Sequence, residues 1–380
     1  MAQRCYSTMV CCGLWSTATT MCISNEEDVY SFGSSNTRAH GHQEEFVFPP
    51  KVISSLVNIK LIDCSINHSI CLDNNGNVFT FGSNDYGALG KNKNELPYSY
   101  EPQHIHLPPM KQVTCNFTSS FCVTEDGILY SFGGNHCGQL CLGHALDTHF
   151  DSPQKVEYFT NIDFIECGDH FAVCKTLEGV LYAWGDNDFG QLGTGNLDRQ
   201  IIPKLCSNWP NNIVDIKCGS VMVLVLTLEQ EVYSCGDNHE DKLGRKTKDE
   251  YSTTMEKIHS LSEIVKISCG SDHSMCTDIY NNLFVFGSNY YGELGLGDSD
   301  SRHEPIKHPL SDIIDISSGG MHTFVKNSSN EIYAFGYNRF SQCGTNSTND
   351  AQLSPIQVLQ NNENIWWSNI RYSKVKSARK

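Results

Sequence analysis

The sequence predicts an all-β protein, a seven-bladed β-propeller built from repeats of about 51 residues. Three observations carry this. Strand-like pentads ending in glycine recur along the chain as VYSFG, VFTFG, LYSFG, LYAWG, VYSCG, LFVFG and IYAFG. Their glycines, Gly33, Gly82, Gly133, Gly185, Gly236, Gly287 and Gly336, stand 49, 51, 52, 51, 51 and 49 residues apart. No stretch longer than two turns has the apolar period of an amphipathic helix, so the chain is one repeat array of strands rather than a string of unrelated domains.

Each copy carries the same elements. An alternating segment upstream of the pentad, such as 213–217 or 313–317, has the period of a half-buried strand. The pentad is rich in aromatic and β-branched residues, which suit a pleated surface. Two residues past its glycine stands an asparagine in six copies, Asn84, Asn135, Asn187, Asn238, Asn289 and Asn338. Asparagine tolerates left-handed backbone and bonds its own main chain, so a tight turn is expected there. A G-x-L-G turn follows, clearest as YGALG (86–90), FGQLG (189–193) and YGELG (291–295). A proline, Pro102, Pro153, Pro203, Pro305 or Pro355, is read as opening most units. The count is about four short strands per copy, and radial stacking of such sheets leaves only short, protected edges.

Cysteine content raises a competing reading. The chain holds 18 cysteines and 15 histidines, and CGSDHSMC (269–276) resembles a ligand cluster. Aligned on the pentad glycine, its first cysteine falls in a column reading Trp15, Cys64, Cys115, Cys167, Cys218, Cys269 and Ser318. Its second falls in a column of Cys22, Cys71, Cys122, Cys174, Val225, Cys276 and Val325. Valine cannot replace a metal ligand, and no C-x-x-C pair exists in the chain, so no metal is expected. Cysteine serves here as a small, readily buried residue. So many thiols without a secretory signal point to a reducing compartment, cytoplasm or nucleus, and against a disulfide framework.

A net charge of −16 argues against general binding to nucleic acid or anionic membrane. The longest apolar runs, such as 221–226, are far too short to span a bilayer. Two local basic stretches, 242–248 and 374–380, read as solvated charge. The expected organisation is a single propeller over 1–368 with a short basic tail at 369–380, acting as a monomer. Copy one begins abruptly near Cys11, while Pro355–Val358 and then Ile365–Trp367 look like spare strands. One blade built from both termini would close the ring.

The combination of C-G-x-x-H, x-Y-x-F/W-G-x-N and G-Q-L-G resembles the regulator of chromosome condensation repeat family, over roughly residues 9–360, with 166–195 the best copy. The resemblance implies a seven-bladed propeller and two functional readings. One is a protein-docking platform without covalent catalysis. The alternative is guanine-nucleotide exchange on the small GTPase Ran or another small GTPase. Neither needs a cofactor, and the chain has no Walker loop, G-x-S-x-G, kinase set or HExxH. The family's partner-contacting residues include an Asp and a His in the G-x-x-H turns of one face. Asp272 with His273 matches best, and Asp169, His170, His68 and His322 are further candidates. The polar pair is lost at Thr118-Ser119 and Val221-Met222, and no spacing leaves room for a long inserted hairpin, so docking is the favoured reading. A structural alternative has these side chains holding the blades in register.

Overall fold

The computed structural model describes residues 9–12, 18–24, 27–144, 149–345 and 349–358. Among them, 28 strands form seven four-stranded antiparallel sheets, each made of strands consecutive in sequence. Blade 6 is representative, with strands Ile264–Cys269, His273–Asp278, Leu283–Gly287 and Arg302–Lys307 running outward from the axis. The pentad is the third strand, and its glycine pairs with the head of the second, as in His68↔Gly82 and His273↔Gly287. Second strands such as Met222–Thr227 are buried throughout or at all but one described position, because each has a neighbouring blade on both faces. The core is accordingly divided into seven apolar clusters, one per seam between adjacent blades.

A repeated hydrogen bond fixes the seams. The residue after the head of the second strand donates a hydroxyl to the G-x-L-G turn carbonyl of the preceding blade. The bonds are Ser69 to Ala39, Ser120 to Ala88, Ser274 to Lys242, Thr323 to Glu293 and Thr20 to Gln342, at 2.6–3.3 Å. Ala172 and Val223 occupy this position in blades 4 and 5 and have no hydroxyl to give. There the third strand takes over: Trp184 Nε1 donates to the Gln139 carbonyl at 2.8 Å, and Cys235 Sγ to that of Gln191 at 3.6 Å. A buried carbonyl left unpaired costs a kcal/mol or more, on the order of 1–3, so each blade supplies a donor by whatever chemistry it has.

Four expectations need correction. The prolines lie in the fourth, outermost strands (for example Pro102 in Tyr98–Ile105), closing each blade instead of opening the next, because only an outer edge tolerates a residue without an N–H. None of the six asparagines has a left-handed backbone. They act through side chains, Oδ1 accepting from the N–H five residues on, as in Leu89 to Asn84, Leu192 to Asn187 and Leu294 to Asn289 at 2.9–3.0 Å. The ring does close between strands from both ends of the chain, but in separate blades. Met9–Cys12 is the inner strand of blade 1 and packs on Ile313–Ser318 of blade 7, whose outer strand is Ala351–Gln357. The proposed strand Ile365–Trp367, and the boundary at 368, lie outside the described residues. Finally, Cys11 and not Trp15 occupies the first cysteine column in copy one. It pairs with Thr20 as Cys64 pairs with Ser69, because the first turn of that copy is longer than the others.

Fourteen described cysteines carry thiols, eleven of them buried. Cys64 is the exception to the expected thiol columns, being disulfide-bonded. Burial pushes the Cys269 thiol up to about 12 and those of Cys115, Cys174 and Cys276 well above the usual range, so they are poor nucleophiles and poor ligands in the folded state. Cys276 sits where other blades carry Val225 or Val325. Cys276→Val should therefore cost less than about 1.5 kcal/mol in urea unfolding. A loss several times larger would mean the thiol does more than fill space.

Candidate functional site

One face of the ring carries the turns between first and second strands near the axis, and the loops between third and fourth strands farther out. The six predicted residues all start from these turns, but the fold separates them. His68, His273 and His322 head second strands and are at most 1% exposed. Each directs Nε2 across a seam to the next blade's hydroxyl: Ser120 at 2.8 Å, Thr323 at 3.0 Å and Thr20 at 2.8 Å. Those hydroxyls already donate to turn carbonyls, so they accept from a neutral, Nε2-protonated imidazole. Burial drives the three pKa values down, to about 3 for His68 and His322 and about 4 for His273. These side chains hold seams and offer no surface to a partner.

His170 stands one position earlier in its turn, where blade 6 has Asp272. Half-buried, it lies with its ring 4.6 Å from His136 and 5.6 Å from Phe117, and burial together with His136 lowers its pKa to about 4. The Asp169 N–H donates across the seam to the Ser220 carbonyl of blade 5 at 3.0 Å. Burial, with the charge of Asp272 adding, pushes its carboxyl up to about 6. Asp169 and Asp272 thus sense one another from blades 4 and 6, while His170 belongs to a separate neighbourhood.

Asp272 is partly exposed, with 38% of its side chain accessible. Its Oδ1 accepts from Lys242 Nζ at 2.5 Å, and Lys242 also donates to Asp237 at 2.5 Å. Burial works against the Lys242 ammonium, but the two carboxylates overcome it and raise its pKa. The basic loop is therefore not solvated charge throughout: Lys242 is 3% exposed, and Arg245 is held by Ser234 and Glu256.

Beside this pair opens a cavity of about 470 Å³ whose lining includes Glu240, Asp272, Tyr290, Tyr291, Glu293 and Met321. Glu293 is 3% exposed, and its Oε2 accepts from the Tyr291 N–H at 2.9 Å. Burial first, then Asp272 and Glu240, push its carboxyl up to about 7. Tyr290 Oη donates to Glu240 at 3.1 Å, and Tyr291 lies 4.9 Å from Tyr337. The site is acidic and aromatic, and the lining holds no activated nucleophile.

The sequence reading missed Lys242, Glu293, Glu240, Tyr290 and Tyr291 as a group. A signal was present: blades 3, 4 and 7 place Gln139, Gln191 and Gln342 at the G-x-L-G position, whereas blades 5 and 6 place Lys242 and Glu293. An amide replaced by a charge inside a structural column marks a departure from scaffolding.

Among the described residues no group of side chains could hold a metal ion, and no helix is long and apolar enough to cross a membrane. The chain is 29% identical to the ultraviolet-B receptor UVR8 of Arabidopsis thaliana over 286 residues, covering 73% of this chain and 64% of that protein. It is 31% identical to the E3 ubiquitin-protein ligase HERC2 of Homo sapiens, covering 67% of this chain and 5% of that protein. It spans less than two thirds of either relative's length. Among solved structures, Prp20p of Saccharomyces cerevisiae superposes with a TM-score of 0.78 at 20% identity, covering 88% of this chain and 86% of that one. Human WBSCR16 gives 0.74 at 24% identity, covering 86% and 87%. Both likenesses speak to fold. The model of the regulator of chromosome condensation (RCC1) repeat matches residues 75–123, 126–174, 178–226, 229–277 and 280–325, most of the chain, and with seven blades in the ring the protein belongs to this repeat family.

Proposed function

We propose that the propeller is a protein-docking platform that captures a cationic side chain of its partner in the cavity formed by Asp272, Glu293, Tyr290 and Tyr291. One observation carries this reading: a buried carboxyl pushed up to about 7 beside a half-exposed carboxylate and two tyrosines. An entering ammonium or guanidinium would draw Glu293 into its charged form and lie against aromatic faces, gaining Coulombic and cation–π attraction together. The net charge of −16 would steer a basic partner toward the ring, an effect that weakens as salt rises. The working state is a monomer in a reducing compartment, cytosol or nucleus, supported by its many thiols.

The test uses an array of lysine- and arginine-bearing peptides on the full chain, together with release of fluorescent nucleotide from Ran. Peptide binding should fall about tenfold in Tyr290→Ala and in Glu240→Gln, both away from the seams. Nucleotide release should stay unchanged at substoichiometric propeller. Acceleration at catalytic amounts, lost in Asp272→Ala, would instead establish exchange. His273→Ala cannot serve this purpose, since it breaks a seam.

A further inference from the structure

The opposite face carries the turns between second and third strands. At the first position of these turns stand Leu177, 64% exposed, Leu228, 69%, and Ile279, 42%, the last followed by Tyr280 at 64%. The same position holds Asn74, Glu125 and Ser328 in blades 2, 3 and 7, so the apolar residues form a crescent confined to adjacent blades 4, 5 and 6. The crescent is held in place: the N–H groups of Leu177, Leu228 and Ile279 donate to the carbonyls of Asn161, Asn212 and Glu263 at 2.9, 2.8 and 3.0 Å. Exposed carboxylates flank it, namely Glu178 and Glu229 in the same turns and Glu263 beside Ile279. Exposed apolar residues at one position of three adjacent blades, rimmed by charge, mark an interaction surface.

The described backbone ends on this same face. The Val358 N–H donates to the Ile332 carbonyl at 2.9 Å, just past the turn of blade 7, so the described backbone ends on this side, in a blade that adjoins blades 6 and 1. Beyond it, residues 359–380 contain Ile365, Trp366, Trp367 and Ile370, and then Arg371, Lys374, Lys376, Arg379 and Lys380 against a single acid, Glu363. Twenty-two residues reach roughly 70 Å when extended, enough to cross the three blades.

We propose that residues 359–380 dock across this face, the tryptophans and Ile370 on Leu228, Ile279 and Tyr280, and the cations beside Glu178, Glu229 and Glu263. The segment would mask one face of the ring and leave the acidic cavity on the other face open. Apolar contact supplies the attraction and charge supplies the orientation.

Zero-length carbodiimide cross-linking of the full chain, read by mass spectrometry, tests this. Lys374, Lys376 or Lys380 should join Glu178, Glu229 or Glu263 of the same molecule, with a yield unaffected by dilution. The yield should drop about tenfold in Leu228→Ser/Ile279→Ser, whose altered side chains are exposed and should leave the melting transition in place. It should drop likewise in Glu229→Lys. Tryptic cleavage after Arg371 and Lys374 should quicken by a similar factor in the double variant. Cross-links that are absent, that reach Glu240 or Glu293 on the other face, or that form between molecules in proportion to concentration would each overturn the proposal. So would yields or cleavage rates identical in wild type and variants.

Discussion

Replacing Gly185 by alanine should destabilise the propeller by about 4 kcal/mol, enough to unfold many domains of ordinary stability. Gly185 ends the third strand of blade 4 with φ of +100°, and a Cβ there would sit 2.4 Å from the His170 carbonyl oxygen and 2.7 Å from the Phe171 Cα. Both contacts are backbone of the paired second strand, buried between two seams, so neither side can yield. The same collision recurs at Gly82, Gly133, Gly236, Gly287 and Gly336, where a Cβ would meet a carbonyl oxygen at 2.4–2.5 Å. Gly195 separates strain from collision: its φ is +85°, yet nothing lies within 4 Å of its added Cβ. Gly195→Ala should cost only about 1 kcal/mol. Urea unfolding of both variants decides the matter, and equal losses would show that the close approach is not what demands glycine.

His322→Leu should cost about 2 kcal/mol at pH 7.5, with a gap that closes on acidification. His322 binds Thr20 across the seam where the two ends of the chain meet, next to Phe324 packed edge-on against Phe32 at 6.4 Å. Burial, with His273 adding, lowers its pKa to about 3, against an unfolded value of about 6.5. Above pH 6.5 both states are neutral and the full contribution of the histidine is present. Between pH 6.5 and 3 the unfolded chain takes up a proton that the folded ring refuses. Wild-type stability from this group therefore falls by about 1.4 kcal/mol per pH unit, a loss that the leucine variant escapes. The two stability curves should meet near pH 5. Asp63, Asp169 and Glu293, raised to about 6, 6 and 7, act in the opposite sense, but they do so in both proteins and cancel in the difference. A gap independent of pH would mean that His322 takes up a proton as readily in the fold as in the unfolded chain.

The sequence made the ring legible because its period is carried by residues whose backbone role has few substitutes. Gly33 to Gly336 recur because only glycine fits, and the cysteine columns could be excluded as a metal site because Val225 and Val325 stand in them. Strand order at the ends was harder. Counting back from the glycine of copy one assumes equal turn lengths and points to Trp15, whereas the longer first turn puts Cys11 in the column. The candidate site was less legible still. Counting identified which turns face one way, yet not which side chains in a turn point outward. The G-x-x-H histidines that look functional are the most deeply buried, whereas Asp272 reaches solvent. In sequence Lys242 and Glu293 are ordinary variation within a turn, and only the fold brings Asp237, Asp272 and the Tyr291 N–H to them.

The seam bonds bear on how such an array can change over generations. Histidines head the second strands of blades 2, 6 and 7, and each precedes a blade bearing the hydroxyl it needs, Ser120, Thr323 or Thr20. Blades 4 and 5, which carry Ala172 and Val223 instead, follow Ser119 and Phe171, neither of which needs that hydroxyl. Copying blade 4 into the place of blade 3 would set Ala172 opposite His68 and strand a buried N–H. Internal duplication produces identical units, and recombination between them tends to keep them identical. Here the neighbours have become mutually dependent, so that each copy suits one address in the ring and exchange among copies is selected against.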